Sequence, residues 1–177
     1  MRAFFCALVA ALASFAADND GLWPAYGRDS GGTKFSPLAI VNRQNVSNLK
    51  VAWTFHTGDL YQPKNGDRKS QFESTPLFID GTLFVTTPFG RVIALDPDSG
   101  RQRWSYDPKV DVTAGYGDFA NRGAATWSDG HQRRIFVATI DARLIALDAS
   151  TGQPFPDFGD NGQINLKNDL RIPVKSG

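Results

Sequence analysis

The chain has 177 residues, of which 41% are hydrophobic and 21% are charged, a composition typical of a globular protein rather than a disordered one. Its 19 basic and 18 acidic side chains leave a net charge of +1, so no charge excess favours binding to nucleic acid or to an anionic membrane surface. Seventeen glycines and ten prolines favour short strands joined by tight turns over a helical protein.

The N-terminus has the pattern of an export signal. A short positive start is followed by an apolar run over residues 3–13, then by small residues and a polar stretch. A run of this length is short for a membrane helix, which needs about 20 apolar residues. We therefore assign residues 1–16 to a cleavable signal peptide, with a short membrane anchor as the alternative, and residues 17–177 to the mature domain.

The sulfur-containing residues all lie in the same N-terminal segment. Cys6 is the only cysteine and Met1 the only methionine. The mature chain therefore has no disulfide, no thiolate metal ligand and no cysteine nucleophile. His56 and His131 are far apart and have no neighbouring His or Cys, so the sequence does not predict a zinc site.

A repeat covers the middle of the chain. Residues 83–100 and 135–152 align at one constant offset, with identical residues at 84 and 136, at 91 and 143, at 94–96 and 146–148, and at 100 and 152. Each copy predicts a strand, a short turn, a second strand and an Asp-containing turn that ends in glycine. The predicted strands are 83–87 and 91–95 in the first copy, and 135–139 and 143–147 in the second.

Further strands flank the repeat. Residues 75–79 predict a strand that enters a hairpin turn at Asp80 and Gly81. Trp53 and Trp104 are 51 residues apart, and each predicts the start of a similar strand, whereas residues 153–156 replace the tryptophan in the third copy. No segment after the signal has the sustained apolar spacing of a helix.

These patterns predict an all-β protein built from blades of a β-propeller. Four strands per ~50 residues is the spacing of one blade, and a single blade cannot bury both of its faces without neighbours. The chain has room for about two to three blades, whereas a closed propeller needs at least ~four. We therefore expect the chain to be part of a longer protein.

The run from Ala94 to Trp104 resembles the tryptophan-docking motif of quinoproteins that use pyrroloquinoline quinone (PQQ), with Ser99 in place of a threonine. Residues 146–152 repeat the first half of that motif. The resemblance extends to the family's mature N-terminus and to three internal motifs in the family's order, at 23–29, 31–38, 73–77, 87–89 and 121–123. Residues 157–162 resemble the branch of membrane-type glucose, quinate and polyol dehydrogenases. The resemblance implies an eight-bladed quinoprotein propeller, of which residues 17–177 are the N-terminal part.

The resemblance also assigns cofactor-binding residues. By motif match, Arg122 is the arginine that contacts PQQ, and Glu73 is the glutamate that hydrogen-bonds the cofactor's edge; the alternative for both is a solvated surface position. An arginine offers a fork of donors to a carboxylate or to quinone oxygens. Family members also bind Ca²⁺ and use an aspartate as the base. These calcium ligands and the catalytic aspartate are expected C-terminal to Gly177, so no catalytic or metal-binding residue is assigned in this span.

One departure from the family concerns a disulfide. Where the methanol branch has a vicinal cysteine pair that packs on the cofactor ring, this sequence has no cysteine in residues 116–120. Tyr116 is a candidate to occupy that space.

The leading hypothesis is an exported, periplasmic, PQQ-dependent dehydrogenase that oxidises a sugar or alcohol hydroxyl and passes electrons to a quinone or cytochrome. The anchor alternative implies association with the inner membrane, and this span alone is expected to be inactive. The competing hypothesis is a non-catalytic propeller scaffold of the outer-membrane assembly type. Such a scaffold has no reason to gather Glu73, Tyr116 and Arg122 around one cavity, so the geometry of these side chains separates the two hypotheses.

Overall fold

The computed structural model describes residues 21–61, 70–168 and 170, so the predicted signal segment 1–16 lies outside the described residues. No helix in the described part has the length and apolarity needed to cross a membrane. A short 3-10 helix spans Val46–Asn48. The strands in chain order are β1 (Ser70–Thr75), β2 (Leu77–Ile79), β3 (Thr82–Thr86), β4 (Val92–Leu95), β5 (Gln102–Tyr106), β6 (Phe119–Gly123), β7 (Ala125–Ser128), β8 (Arg133–Ala138), β9 (Arg143–Asp148) and β10 (Gln163–Asn165).

Eight of these strands form two four-stranded antiparallel sheets. The first blade has the strand order β2-β3-β4-β5, and the second has the order β7-β8-β9-β10. Strands that are neighbours along the chain are therefore neighbours in the sheet, as in a propeller blade. Phe84 pairs with Ala94 in the first blade, and the corresponding Phe136 pairs with Ala146 in the second. The predicted repeat is thereby confirmed as two copies of one blade.

Local turn chemistry closes the hairpins at the predicted positions. Asp80 and Gly81 join β2 to β3 with φ angles of +48° and +63°, the left-handed pair that a two-residue type I′ turn requires. In the turn after β4, the Asp96 carboxylate accepts hydrogen bonds from the Ser99 backbone at 2.9 Å and from its hydroxyl at 2.7 Å. Asp148 accepts equivalent bonds in the turn after β9.

The strand predictions differ from the structure mainly in one segment. The prediction of 83–87 corresponds to the observed Thr82–Thr86, and that of 135–139 to the observed Arg133–Ala138. The prediction of a strand around Trp53 is wrong for the described residues, because residues 51–55 are paired with no other strand there. Trp53 and Phe55 are nevertheless half-buried between exposed neighbours, so one side of this extended segment packs against the first blade.

The hydrophobic core lies between the two blades. Its cluster of buried side chains comes from both sheets: Leu77, Ile79, Phe84, Val92 and Ala94 from the first, and Ile135, Val137, Ile145 and Leu147 from the second. All four residues of β4 are buried, which shows that both faces of the first blade are covered. Such a strand has an uninterrupted apolar sequence rather than an alternating one.

Each blade is joined to the preceding segment by an indole ring that packs on a glycine. Trp104 in β5 donates its Nε1–H to the Ala149 carbonyl oxygen at 3.0 Å, and its ring covers Gly152. In the same way, Trp53 donates to the Pro97 carbonyl oxygen at 2.8 Å and covers Gly100. A Cβ atom at either glycine would stand 2.5 Å from the ring, and both glycines have positive φ. Only glycine therefore fits this docking contact.

In the second blade, residues 153–156 replace the docking tryptophan that follows the Asp turn of the first blade. Pro154 forms an isolated bridge with Leu147, and the Phe155 backbone N–H donates to the Ala146 carbonyl oxygen at 2.9 Å. The Phe155 ring lies beneath the Arg134 guanidinium, whose central carbon is 4.2 Å from the ring centroid. The fourth strand, β10, then pairs with β9. The segment that lacks the tryptophan is therefore held to the second blade by backbone pairing and by the contact between Phe155 and Arg134.

Replacing Gly152 with alanine is expected to lower the free energy of unfolding by about 2–4 kcal/mol. The added methyl group would overlap the Trp104 ring, and the backbone at this position has a φ of +73°. Gly115→Ala is the matched control, because Gly115 has the same φ of +73° and nothing lies within 4 Å of its Cβ position. Chemical denaturation measures both variants, and equal midpoints for the two would contradict the docking role.

The Asp148 turn is expected to make stability depend on pH. Burial alone would raise the pKa of Asp148, but the Ser150 hydroxyl and the backbone N–H groups of Thr151 and Ser150 lower it below its ordinary value of 3.8. A carboxyl group with a lower pKa in the folded state stabilises the fold above the unfolded-state pKa, and this contribution is lost as pH falls through the folded-state pKa.

We therefore expect Asp148→Ala to be less stable than the unmodified protein by roughly 1–2 kcal/mol near neutral pH. The difference should narrow as the pH falls below 3.8. Denaturation midpoints across this range measure the effect, with Asp98→Ala, an exposed carboxylate in the turn of the first blade, as the control. A difference that stays constant down to strongly acidic pH would show that ionisation of Asp148 does not contribute.

Candidate functional site

Two further strands bring the blades together at one end. β1 and β6 form a separate two-stranded parallel sheet, with Ser70 opposite Phe119 and Phe72 opposite Asn121. Pro76 alone separates β1 from β2, and Ala124 alone separates β6 from β7. Strands in a sheet lie about 4.8 Å apart, so this pairing draws the first strands of the two blades close to one another. No pattern in the sequence predicted this pairing.

Glu73 and Arg122 meet on this two-stranded sheet. Arg122 Nη2 lies 3.2 Å from Glu73 Oε2, and the two side chains are 83% and 35% exposed. Together with Tyr26, Gly123 and Ala124 they line a cavity of about 480 Å³. The structure thus brings together the two residues that the sequence assigned to cofactor binding, and it leaves most of the guanidinium accessible.

A β-bulge aims Glu73 toward Arg122. The register shifts between the Phe72–Asn121 pair and the Thr75–Gly123 pair, so β1 carries one more residue than β6 over this stretch. An extra residue in one strand bends it and redirects a side chain. Gly123 has a φ of +130°, and a Cβ there would stand 3.0 Å from the Thr75 carbonyl oxygen. The glycine after Arg122 is therefore required for the two strands to approach this closely.

Tyr26 is a lining residue that the sequence analysis missed. Trp23 exchanges backbone hydrogen bonds with Phe78 of β2, at 2.8 Å and 3.0 Å, and this pairing holds the N-terminal segment against the first blade. Tyr26 then reaches the cavity that contains Glu73 and Arg122. Lys34 Nζ donates to the Tyr26 hydroxyl oxygen at 3.2 Å. The N-terminal motif was visible in the sequence, but its contact with this cavity depends on a pairing between distant residues.

Tyr116 does not line this cavity, which corrects the expectation that it shares one cavity with Glu73 and Arg122. Its ring packs edge-to-face on Phe119, with the centroids 6.4 Å apart. Tyr61 and Phe89 also contact Phe119, which is fully buried at the start of β6. Tyr116 therefore helps to anchor the strand that carries Arg122, and lies behind the site rather than in it.

Within residues 21–61, 70–168 and 170, no group of three or more His, Cys, Asp or Glu side chains is arranged to hold a metal ion. The polar groups of the site are thus the guanidinium of Arg122, the carboxylate of Glu73 and the phenol of Tyr26. A guanidinium can donate N–H bonds to a planar anionic ligand, and a carboxylate beside it can accept an N–H from the same ligand. This donor set suits recognition and orientation of a ligand.

Comparison with known proteins gives the same family on three grounds. The family model described as PQQ glucose/ethanol/alcohol dehydrogenase, beta-propeller domain, matches residues 23–176. Quinoprotein glucose dehydrogenase A of Acinetobacter calcoaceticus is 36% identical over an alignment of 173 residues, which covers 88% of this chain and 22% of that protein. The quinate/shikimate dehydrogenase (quinone) of Acinetobacter baylyi is 37% identical and is covered over 21% of its length, against 87% of this chain.

Solved structures agree with these sequence matches. The quinohemoprotein alcohol dehydrogenase of Comamonas testosteroni superimposes with a TM-score of 0.66 at 30% identity, over 85% of this chain and 20% of that one. A europium-containing methanol dehydrogenase gives a TM-score of 0.63 at 33% identity, over 76% of this chain and 22% of that one. The chain spans about a fifth of the length of the curated relatives that it matches. It belongs to the PQQ quinoprotein dehydrogenase family and carries two blades of that family's β-propeller.

Proposed function

We propose that this chain forms the N-terminal blades of a dehydrogenase that uses PQQ to oxidise a hydroxyl group of a sugar or an alcohol. The observation that carries the proposal is the Glu73–Arg122 pair at 3.2 Å, in a cavity where two blades converge. Family membership supports the same reading, because the relatives include glucose, quinate and alcohol dehydrogenases. A scaffold that binds no ligand does not require an accessible guanidinium and a carboxylate to converge at this position.

The residues present fit the cofactor's chemistry. PQQ carries three carboxylates and an ortho-quinone, and when bound it supplies the acceptor for a hydride from the substrate carbon. Arg122 would bind a carboxylate or the quinone oxygens through its fork of N–H donors. Glu73 would hold that fork in orientation and accept an N–H at the edge of the ring. One guanidinium cannot balance three carboxylates, so further cationic partners are expected from the remainder of the propeller.

The same proposal includes a cellular location, an electron acceptor and a metal ion. The N-terminal segment is proposed as an export signal that directs the protein to the periplasm, with retention at the inner membrane as the alternative. Electrons would pass to a quinone or a cytochrome. Ca²⁺ is proposed as the metal partner of PQQ, with its ligands C-terminal to Gly177, and it would act as a Lewis acid on the quinone.

Replacing Arg122 tests the cofactor site directly. We expect Arg122→Ala to raise the dissociation constant for PQQ about 100-fold, because a hydrogen bond to a charged group contributes roughly 2–3 kcal/mol. Arg122→Lys should recover only part of this loss, since a lysine offers a point charge without the fork. Calorimetric titration of the full-length apo-protein with PQQ gives the constants.

Arg101→Ala is the matched control for that titration, because Arg101 is exposed and lies in the Asp96 turn rather than on β6. Its dissociation constant should equal that of the unmodified protein. If Arg122→Ala and Arg101→Ala bind PQQ equally well, Arg122 is a surface residue and the proposed site is lost.

Metal and cofactor removal test the reaction. We expect the full-length apo-protein to reduce an artificial electron acceptor with glucose, quinate, polyols or simple alcohols only after both PQQ and Ca²⁺ are added. Chelation of the metal should abolish the activity, and added Ca²⁺ should restore it. Dye reduction followed across this substrate panel is the measurement. Absence of activity on every substrate, with PQQ bound, would favour the scaffold hypothesis.

A further inference from the structure

A single buried hydroxyl connects the two strands that carry the candidate site. Thr86 in β3 is 2% exposed. Its Oγ1 lies 2.9 Å from Ser74 Oγ on β1 and 2.7 Å from Asn121 Oδ1 on β6. Ser74 directly follows Glu73, and Asn121 directly precedes Arg122. The hydroxyl therefore sits behind both site residues and contacts the neighbour of each.

The direction of these hydrogen bonds follows from the donors available. The Asn121 side chain is oriented by the Gly123 backbone N–H, which donates to Oδ1 at 3.0 Å, and by the Ala138 carbonyl oxygen, which accepts from Nδ2 at 3.0 Å. Since Oδ1 can only accept, the one hydroxyl proton of Thr86 is donated to it. The Ser74 hydroxyl then donates to Thr86 Oγ1, while Ser74 Oγ accepts the Thr86 backbone N–H at 3.3 Å.

This network joins three parts of the fold. Thr86 belongs to the first blade, Ala138 belongs to β8 of the second blade, and Ser74 and Asn121 belong to the β1–β6 sheet between them. A displacement of β1 relative to β6 would break at least one of these bonds. A polar group that loses its partner while buried is destabilised by about 1–3 kcal/mol, so the arrangement resists such a displacement.

The ion pair itself cannot supply this rigidity. The Arg122 side chain is 83% exposed, and ion pairs between exposed side chains are typically worth about 0–1 kcal/mol. Two long side chains would therefore separate readily if their strands were free to move. The spacing between the guanidinium and the carboxylate must be set by the backbone beneath them.

We propose that Ser74, Thr86 and Asn121, here named the Thr86 clasp, are positioning residues that set the separation of Glu73 and Arg122 before the cofactor binds. The proposal rests on the proposed function for the use of the site, but the clasp itself is a property of the protein without cofactor. Its purpose is preorganisation: a site already in the bound geometry loses less entropy when the ligand arrives.

The test uses Thr86→Val, which keeps the shape of the side chain and removes its hydroxyl. In the full-length apo-protein, hydrogen–deuterium exchange of the β6 amides should become about tenfold faster. The Asn121 side chain would lose the hydrogen bond from Thr86 that orients it, and its bond from the Gly123 backbone N–H would weaken. The dissociation constant for PQQ should rise by a similar factor, ~1.4 kcal/mol. Thr86→Ser keeps a hydroxyl and should restore both quantities.

Two further variants make the outcome decisive. Ile135→Val removes a methylene from the buried core of the second blade and lowers global stability without touching the clasp, so it should leave PQQ binding unchanged. Ser74→Ala removes only one arm of the clasp and should give a smaller change in the same direction, which keeps the test valid if Thr86→Val does not fold.

The results separate the clasp from the proposed function. Unchanged exchange at β6 in Thr86→Val and Ser74→Ala would overturn the clasp, even if PQQ binds. Faster exchange with unchanged PQQ affinity would overturn its positioning role. Failure of the unmodified protein to bind PQQ would overturn the proposed function, whereas the exchange data would still show whether the clasp holds the two strands together.

Discussion

The packing of an indole ring on a glycine is the contact on which the rest of this structure depends. Trp53 covers Gly100 and Trp104 covers Gly152, and in both cases the ring occupies the space that a Cβ atom would need. The same indole donates its N–H to a backbone carbonyl of the next blade. A flat ring that is held by packing and by one directional hydrogen bond leaves little freedom in how neighbouring blades are oriented.

A second contact at the opposite edge of the sheets completes this constraint. Trp104 lies in β5, the fourth strand of the first blade, whereas β1 and β6 lead into the first strand of each blade. Blades that are tied at their outer and inner edges have a defined angle between them, and the apolar side chains between the sheets fill the remaining space. This angle brings together β1 and β6, the strands that carry Glu73 and Arg122, and the Thr86 clasp then sets the separation of the two side chains.

The site differs in character from the core that supports it. The core cluster is apolar and has exposures of a few per cent, whereas Arg122 is largely accessible. The charged groups remain accessible here, and the neutral groups of the Thr86 clasp, of which Thr86 is buried and Ser74 and Asn121 are half-buried, hydrogen-bond to one another beneath them. The contact between the rings of Tyr116 and Phe119 also helps to hold β6, the strand that carries Arg122. The proposed site is thus part of a binding surface, and the remaining blades of the family's propeller would provide the rest.

The sequence by itself determined the features that depend on local chemistry: the strand pairs of each repeat, the hairpin turn at Asp80 and Gly81, and the Asp turns that end in glycine. The motifs also gave Glu73 and Arg122 as candidates for cofactor binding, and the structure shows that these two side chains lie together. Only the tertiary structure decided that β1 pairs in parallel with β6, that a bulge aims Glu73 at Arg122, and that Tyr116 packs behind the site. The physical reason is that parallel strands cannot be joined by a tight turn. β1 and β6 are therefore far apart in the chain, and no turn motif between them marks the pairing in the sequence.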